Sequence, residues 1–179
     1  MTKIVACISR RWEPDLLVED WLENMSWVDE RIVFDDRDST KQWHDEAERY
    51  RWFHHVAGEV EADYVIVSAP DERFELRAEQ VIRRAIEKGS YTGFWFNVLE
   101  LYTPDSFRCD GTWSRLKQQR MYRWHESQTF SEGALHHSVC PDLDPTLSKQ
   151  LAVNIYHLKH IEPINRWRRV EVFNKLDPN

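Results

Sequence analysis

ADYVIVSAPDERFE, Ala62 to Glu75, decides how this chain is read. Tyr64-Val65-Ile66-Val67 is an apolar, β-branched run, the mark of a strand buried on both faces. It stops at Ser68-Ala69-Pro70. Two carboxylates, Asp71 and Glu72, follow with Arg73. A buried strand that delivers acids at its tip either starts the next helix with them or uses them to hold something.

Two earlier runs behave the same way. KIVACIS (Lys3–Ser9) reads as a strand that ends at Ser9-Arg10-Arg11. RIVFDD (Arg31–Asp36) reads as a strand that ends at Asp35-Asp36-Arg37-Asp38. Helices are expected between them. Pro14 precedes Leu16, Leu17, Trp21, Leu22 and Met25 at helical spacing, and Pro is tolerated in a first turn. Ser39 or Thr40 would cap a helix running to Glu59, with a break near Phe53-His54-His55. FELRAEQVIRRAIEKG reads as a helix over Phe74–Gly89, closed by the glycine. Alternation of strand and helix predicts a parallel sheet covered on both faces. Past residue 90 the pattern changes to longer strands, Tyr91–Tyr102 and Leu151–Ile161, with a loop entering another at Ser114–Trp124, and a last helix after Glu162. The expectation is one α/β domain. Its parallel-rich, Rossmann-like half covers about residues 1–89, and a mixed half covers about 90–179.

Composition narrows the classes. Apolar residues at 41% and charged residues at 31% describe a globular chain, not a disordered one. A net charge of −7 gives no general attraction for nucleic acid. No stretch approaches a membrane span, the N-terminal apolar run is too short for a signal peptide, and a cytoplasmic location is the default expectation. Cys7, Cys109 and Cys140 are far apart, with no Cys-x-x-Cys pair to suggest a disulfide framework or a zinc site. Nine tryptophans are read mainly as packing residues.

Ligands of open parallel sheets bind beyond the carboxyl ends of the strands. If the three tips share an edge, Asp35, Asp36, Asp38, Asp71 and Glu72 gather there. Clustered carboxylates suit a hard divalent cation with a phosphate, or are solvated loop acids. No Gly-rich phosphate loop follows the first strand, which argues against NAD-type and P-loop sites.

The order NMSWVDERIVFDDRDST, ADYVIVSAPDERFE, GTWSRLKQQRMYR, LHHSVCP, NIYHLKHIEP resembles glycosyltransferase family 2, with its GT-A fold, in the branch of lipopolysaccharide-core-type sugar transferases. The resemblance runs from about Lys3 to the end of the last helix. It implies transfer of a sugar from a nucleoside diphosphate sugar to an acceptor hydroxyl, with inversion. It makes the first half nucleotide-binding and the second half acceptor-side. Asp35 would meet the nucleoside. Asp71 matches the second acid of the family's Asp-x-Asp motif and His157 its late histidine, so both would hold Mg²⁺ or Mn²⁺ and the diphosphate. Ser9, Glu13, Asp36, Lys117 and Arg120 would complete the donor side. Ala69 stands where the family has the first acid.

An inverting transferase needs a base at the acceptor oxygen. Asp110, His136 and His137 are the candidates, with Glu100, and nothing local selects among them. Trp113 is a candidate for stacking on a sugar. For the acceptor a glycan or lipid-linked sugar is the first expectation; a hydroxymethylated base in DNA is the other, for which the basic final helix with Arg166, Arg168, Arg169 and Lys175 would matter. Two rival readings are a non-catalytic nucleotide-sugar or glycan binder, suggested by Ala69, and a nucleotidyltransferase, whose Gly-rich loop is absent from SRRWEP.

Overall fold

A computed structural model describes residues 2–10, 13–37, 46–111, 116–132 and 138–161. In chain order the elements are β1 (Ile4–Arg10), α1 (Asp15–Asn24), β2 (Glu30–Asp35), α2 (Glu46–Glu59), β3 (Tyr64–Val67), β4 (Glu72–Phe74), α3 (Ala78–Lys88), β5 (Gly93–Thr103), β6 (Ser106–Phe107), β7 (Lys117–Arg123) and β8 (Ser148–His157). The final helix expected after Glu162, its basic residues, Arg11, Asp38, Trp113, His136 and His137 lie outside the described residues, as does the start expected for the second helix.

The strands form one mixed sheet in the order β2-β1-β3-β7-β5-β8-β4, with β6 added to β5. β1 pairs parallel with both β2 and β3. β7 is antiparallel to β3 and to β5, which makes β5 run with β3. β8 is parallel to β5. Five strands (β1, β2, β3, β5 and β8) therefore point their carboxyl ends at one edge, and those of the second half join those of the first.

Alternation along the strands sorts the core into two sides. Ile4, Ala6, Ile8, Tyr64, Ile66, Phe94, Phe96, Val153 and Ile155 face α1 and α3, whose Trp21, Ala78 and Ile82 are buried against them, with Met25 just past the end of α1. Val5, Cys7, Val65, Val67 and Tyr122 face α2 through Phe53 and Ala57. The helices thus cover both faces, as the sequence pattern predicts.

Three expectations are corrected. α2 runs unbroken through Phe53, His54 and His55 to Glu59. His54 is a core residue, its ring stacked on Tyr122 and Trp124 at 5.9 and 5.4 Å. Gly58 sits in the last turn because the Trp124 indole occupies the space of a Cβ, 2.5 Å from where it would lie. α3 begins at Ala78, not Phe74, because Glu72–Phe74 form β4 against β8. Asn24 of α1 holds the outer side of β4, donating to Phe74 O at 2.9 Å and accepting from Phe74 N at 2.8 Å. Gly89 ends α3 in extended backbone (φ −142°), not in a left-handed cap.

The link from β3 to β4 shapes the whole edge. In a flat sheet β4 would lie four strand spacings from β3, about 19 Å away. Only four residues connect them, and Glu72 N bonds to Ala69 O at 3.0 Å, which closes a tight turn with Pro70 in its second place. Two extended steps and one such turn reach about 14 Å. The sheet must curl for β4 to reach β8, and the curl carries Asp71 and Glu72 over the ends of β5, β7 and β8.

Candidate active site

Three strands set one row of polar side chains. Glu72 of β4 pairs with His157 of β8, and His157 pairs with Glu100 of β5. Residues in cross-strand register present their side chains to the same face. All three are nearly or wholly buried, at 0, 7 and 1% exposure. Such charge stays buried only when it is paired.

The pairing is extensive. Arg120 grips Glu72 with two hydrogen bonds, Nε to Oε2 at 3.0 Å and Nη2 to Oε1 at 2.6 Å. His157 Nδ1 lies 3.1 Å from Glu100 Oε1, and its Nε2 lies 3.3 Å from Asp71 Oδ1. Lys159 Nζ is 2.9 Å from the same Glu100 oxygen, and His160 Nε2 is 3.6 Å from Glu100 Oε2. Leu158 N donates to Asp71 O at 2.8 Å, pinning the turn to the end of β8. Glu72 also closes that turn from inside, its Oε2 accepting from Ala69 N at 3.2 Å. Arg73 fastens it from outside, donating to Pro70 O and to Leu17 O.

The electrostatics follow from this arrangement. Burial opposes a charge on His157, but the carboxylates of Asp71 and Glu100 at its two ring nitrogens outweigh it and raise its pKa to about 9. Burial would raise Asp71, but the charge and hydrogen bond of His157, with Lys159 nearby, hold it at about 2. Burial, then the same two cations, act on Glu100, and the cations win, holding it at about 2. At neutral pH the cluster is an imidazolium between two carboxylates with an ammonium beside it.

A second group lies along the same edge at the ends of β1 and β2. Asp36 is buried, 3.7 Å from Arg49, and its N–H donates to Arg10 O at 2.8 Å. Asp35 is exposed and bidentate to Arg37, whose hydrogen bonds lower its pKa to about 2. Arg10 turns to Glu13 O and Asp15. Ser9 is partly buried beside Phe34 in the β1–β2 register.

Of the sequence candidates, Asp71 and His157 meet each other, Arg120 meets Glu72, and Lys117 stands exposed at the start of β7. Strict alternation on β7 fails, because the β5–β7 register slips by one and leaves Arg120 as the extra residue. A bulge of this kind re-aims a side chain. Asp110 lies on the segment after β6, in a two-point pair with Arg108 (2.6 and 3.0 Å) that lowers its pKa and weakens it as a base. Sequence reasoning missed Lys159 and His160, although LKH directly after a strand that ends in His157 was the available signal.

Among the described residues no three His, Cys, Asp or Glu side chains meet as a metal site. Two do fit a cation. Cis ligand atoms of an octahedral Mg²⁺ lie about 3.0 Å apart, close to the 3.3 Å between Asp71 Oδ1 and His157 Nε2. A cation there would replace the Nε2 proton, and Glu100 would keep Nδ1 oriented.

No family model matches the chain, and no curated protein matches it. Among solved structures it is similar to "Crystal structure of a glycosyltransferase involved in the glycosylation of the major capsid of PBCV-1", at 10% identity and a TM-score of 0.36, over 68% of this chain and 59% of that one. The chain thus spans about three fifths of that structure's length.

Proposed function

We propose that the protein is a glycosyltransferase that takes a sugar from a nucleoside diphosphate donor at the carboxyl edge of its sheet. One observation carries the reading: the tip that follows β3 and the ends of β5 and β8 bring Asp71, His157, Glu100 and Lys159 together, on the carboxyl edge that also carries Asp35 and Asp36 at the end of β2. Open α/β sheets bind ligands at this edge. The motif order shared with glycosyltransferase family 2 supports the same edge from the sequence. Asp71 and His157 would hold Mg²⁺ or Mn²⁺, which when bound would neutralise charge on the departing diphosphate. Lys159 is a cation next to that place and would add to it. Asp35 would take the nucleoside, with Ser9, Glu13 and Asp36 around it. The acceptor would be a glycan or lipid-linked sugar.

Calorimetric titration with UDP, GDP and CMP, in Mn²⁺, in Mg²⁺ and in EDTA, tests the reading, together with hydrolysis of the matching sugar nucleotides. At least one nucleotide should bind more tightly with metal than with EDTA, and its sugar conjugate should be hydrolysed slowly. Lack of binding by all three nucleotides under every condition would overturn it. A second reading, a non-catalytic binder, is favoured by the carboxylates that already hold both ring nitrogens of His157 and by Ala69 at the first acid position. Metal-independent binding with no hydrolysis would select it.

A further inference from the structure

The segment that follows β7 is seated by two aromatic anchors. Trp124 is partly buried and Phe130 buried, while His125, Glu126, Ser127 and Thr129 between them are exposed. Both anchors rest on one ring of α2, the imidazole of His54, with centroids 5.4 Å away for Trp124 and 5.5 Å for Phe130. Trp124 Nε1 donates to His54 O at 2.9 Å, and its indole fills the notch that Gly58 leaves one turn further on. Asp142 N donates to Thr129 O at 2.8 Å, which ties the stretch carrying Cys140 to the same segment. Cys140 is buried in one cluster with Phe130 and Tyr122.

We propose that His54 is an acid-sensitive latch: when its ring takes up a proton, residues 124–132 let go of α2 while the sheet stays folded. The inference goes beyond the glycosyl-transfer reading and does not depend on it. His54 is 9% exposed, its Nδ1 lies 3.3 Å from the Tyr122 hydroxyl, and its buried Nε2 has no hydrogen-bond partner. A neutral imidazole has one N–H, which the Tyr122 oxygen can accept from Nδ1. A charged one has a second N–H at Nε2, and a buried charged donor without an acceptor is costly. The ionisable groups around the ring are His55 on α2, paired with Glu59 on the exposed side, Tyr122 on β7 with Cys7 and Cys140 near its hydroxyl, and His125 on the segment. No carboxylate among the described residues reaches Nε2. Burial is the largest effect on the ring and opposes its charge; the main chain of His125 offsets part of this, and the pKa lies below the usual 6.5. The closed form therefore keeps its full weight above about pH 6.5 and loses it as pH falls. β7 cannot move aside to let water reach a charged ring, because it is paired on both sides, with β3 and β5. The segment can, because most of its side chains already lie in solvent.

Thiol labelling of the full chain with 4,4′-dithiodipyridine, followed by mass mapping, reads the three cysteines separately. Cys109 is exposed and sets the unhindered rate, Cys7 inside β1 reports unfolding of the sheet, and Cys140 reports the latch. From pH 7.5 to pH 5 the Cys140 rate relative to Cys109 should rise about fivefold or more, within the limit of about tenfold per pH unit that one proton allows, while Cys7 stays unlabelled. His54→Phe keeps the main-chain acceptor of Trp124 and removes the titration, so the ratio should change less than about twofold. His54→Leu, run beside it, should behave the same way. A flat Cys140 ratio in the parent protein, labelling of Cys7 in step with Cys140, or a pH-driven rise that survives in a folded His54 variant each overturn the latch.

Discussion

Glu72 lies wholly inside the protein with both carboxylate oxygens taken by Arg120, whereas Asp71, one residue earlier, keeps 22% of its side chain exposed and faces His157. The turn that separates them divides one acidic pair into a buried tie and a partly exposed end. The Glu72–Arg120 tie joins β4 to β7 across the curl and needs nothing from outside. The Asp71–His157–Glu100 row reaches solvent at Asp71 and can exchange a proton for another cation. The comparison teaches that in Asp71-Glu72 the inner acid secures the curl that presents the outer one.

Cutting the tie gives the largest effect. Glu72→Ala leaves the Arg120 guanidinium buried without its partner, which costs about 3–5 kcal/mol of unfolding free energy. Adding Arg120→Met removes the stranded charge and recovers most of the loss. Guanidinium denaturation of the two variants measures both. A Glu72→Ala loss no greater than that of Asp71→Asn would break the distinction between buried tie and exposed end.

Next is the pH dependence of the row. The His157 pKa is raised from 6.5 to about 9, so its contribution is complete below about pH 6.5 and is lost as pH rises through 9. That is up to about 3 kcal/mol at the usual conversion of 1.36 per unit. Asp71 and Glu100 are depressed to about 2, so their share is present above about pH 4.5 and lost as pH falls through 2. The three share the same bonds, and their contributions do not add. His157→Gln should flatten the alkaline arm of a stability–pH curve between pH 7 and 9.5. An unchanged alkaline arm would mean that His157 is not the imidazolium of the row.

Asp71→Asn sharpens the comparison from the other side. It keeps the size of the side chain and the Asp71 O to Leu158 N bond, so it should cost only about 1–2 kcal/mol of stability. On the proposed function, sugar-nucleotide hydrolysis should fall on the order of 100-fold, the usual loss when one charge stabiliser is removed. Activity within threefold of the parent would remove Asp71 from the reaction.

How much of this could be seen beforehand depended on range. β1, β2, β3 and β5 announced themselves by local apolar runs, and their ends differ from expectation by one or two residues. β4 was hidden because three residues carry no period and Glu-Arg-Phe fits a helix start. Its strand character comes only from pairing with Ile155–His157, some eighty residues on. The candidate acids at the β3 tip were legible for the same local reason as the strand. What each acid does was not, because Arg120 and His157 reach them through the curl and through a one-residue slip in β7 that no local pattern encodes. The break expected near Phe53-His54-His55 does not occur, because Tyr122, Trp124 and Phe130 enclose His54 from distant parts of the chain.

That histidine gives the smallest and most separable effect. Burial lowers the pKa of His54, and its Nε2 has no hydrogen-bond partner, while Nδ1 is 3.3 Å from the Tyr122 hydroxyl. A depressed histidine acts in the opposite sense to His157. Its contribution is complete above about pH 6.5 and is lost as pH falls toward its folded value, because the unfolded chain takes the proton first. His54→Phe replaces one ring by another in the same aromatic stack and removes both the orphaned nitrogen and the titration. Stability at pH 7.5 should change by no more than about 1 kcal/mol, since one weak hydrogen bond is traded for a desolvated nitrogen. The fall in stability between pH 6.5 and 5 should become shallower, while the alkaline arm set by His157 stays as it was. A variant that altered the alkaline arm would show that the aromatic side of the sheet and the charged row are coupled, and the two histidines would then have to be treated as one system.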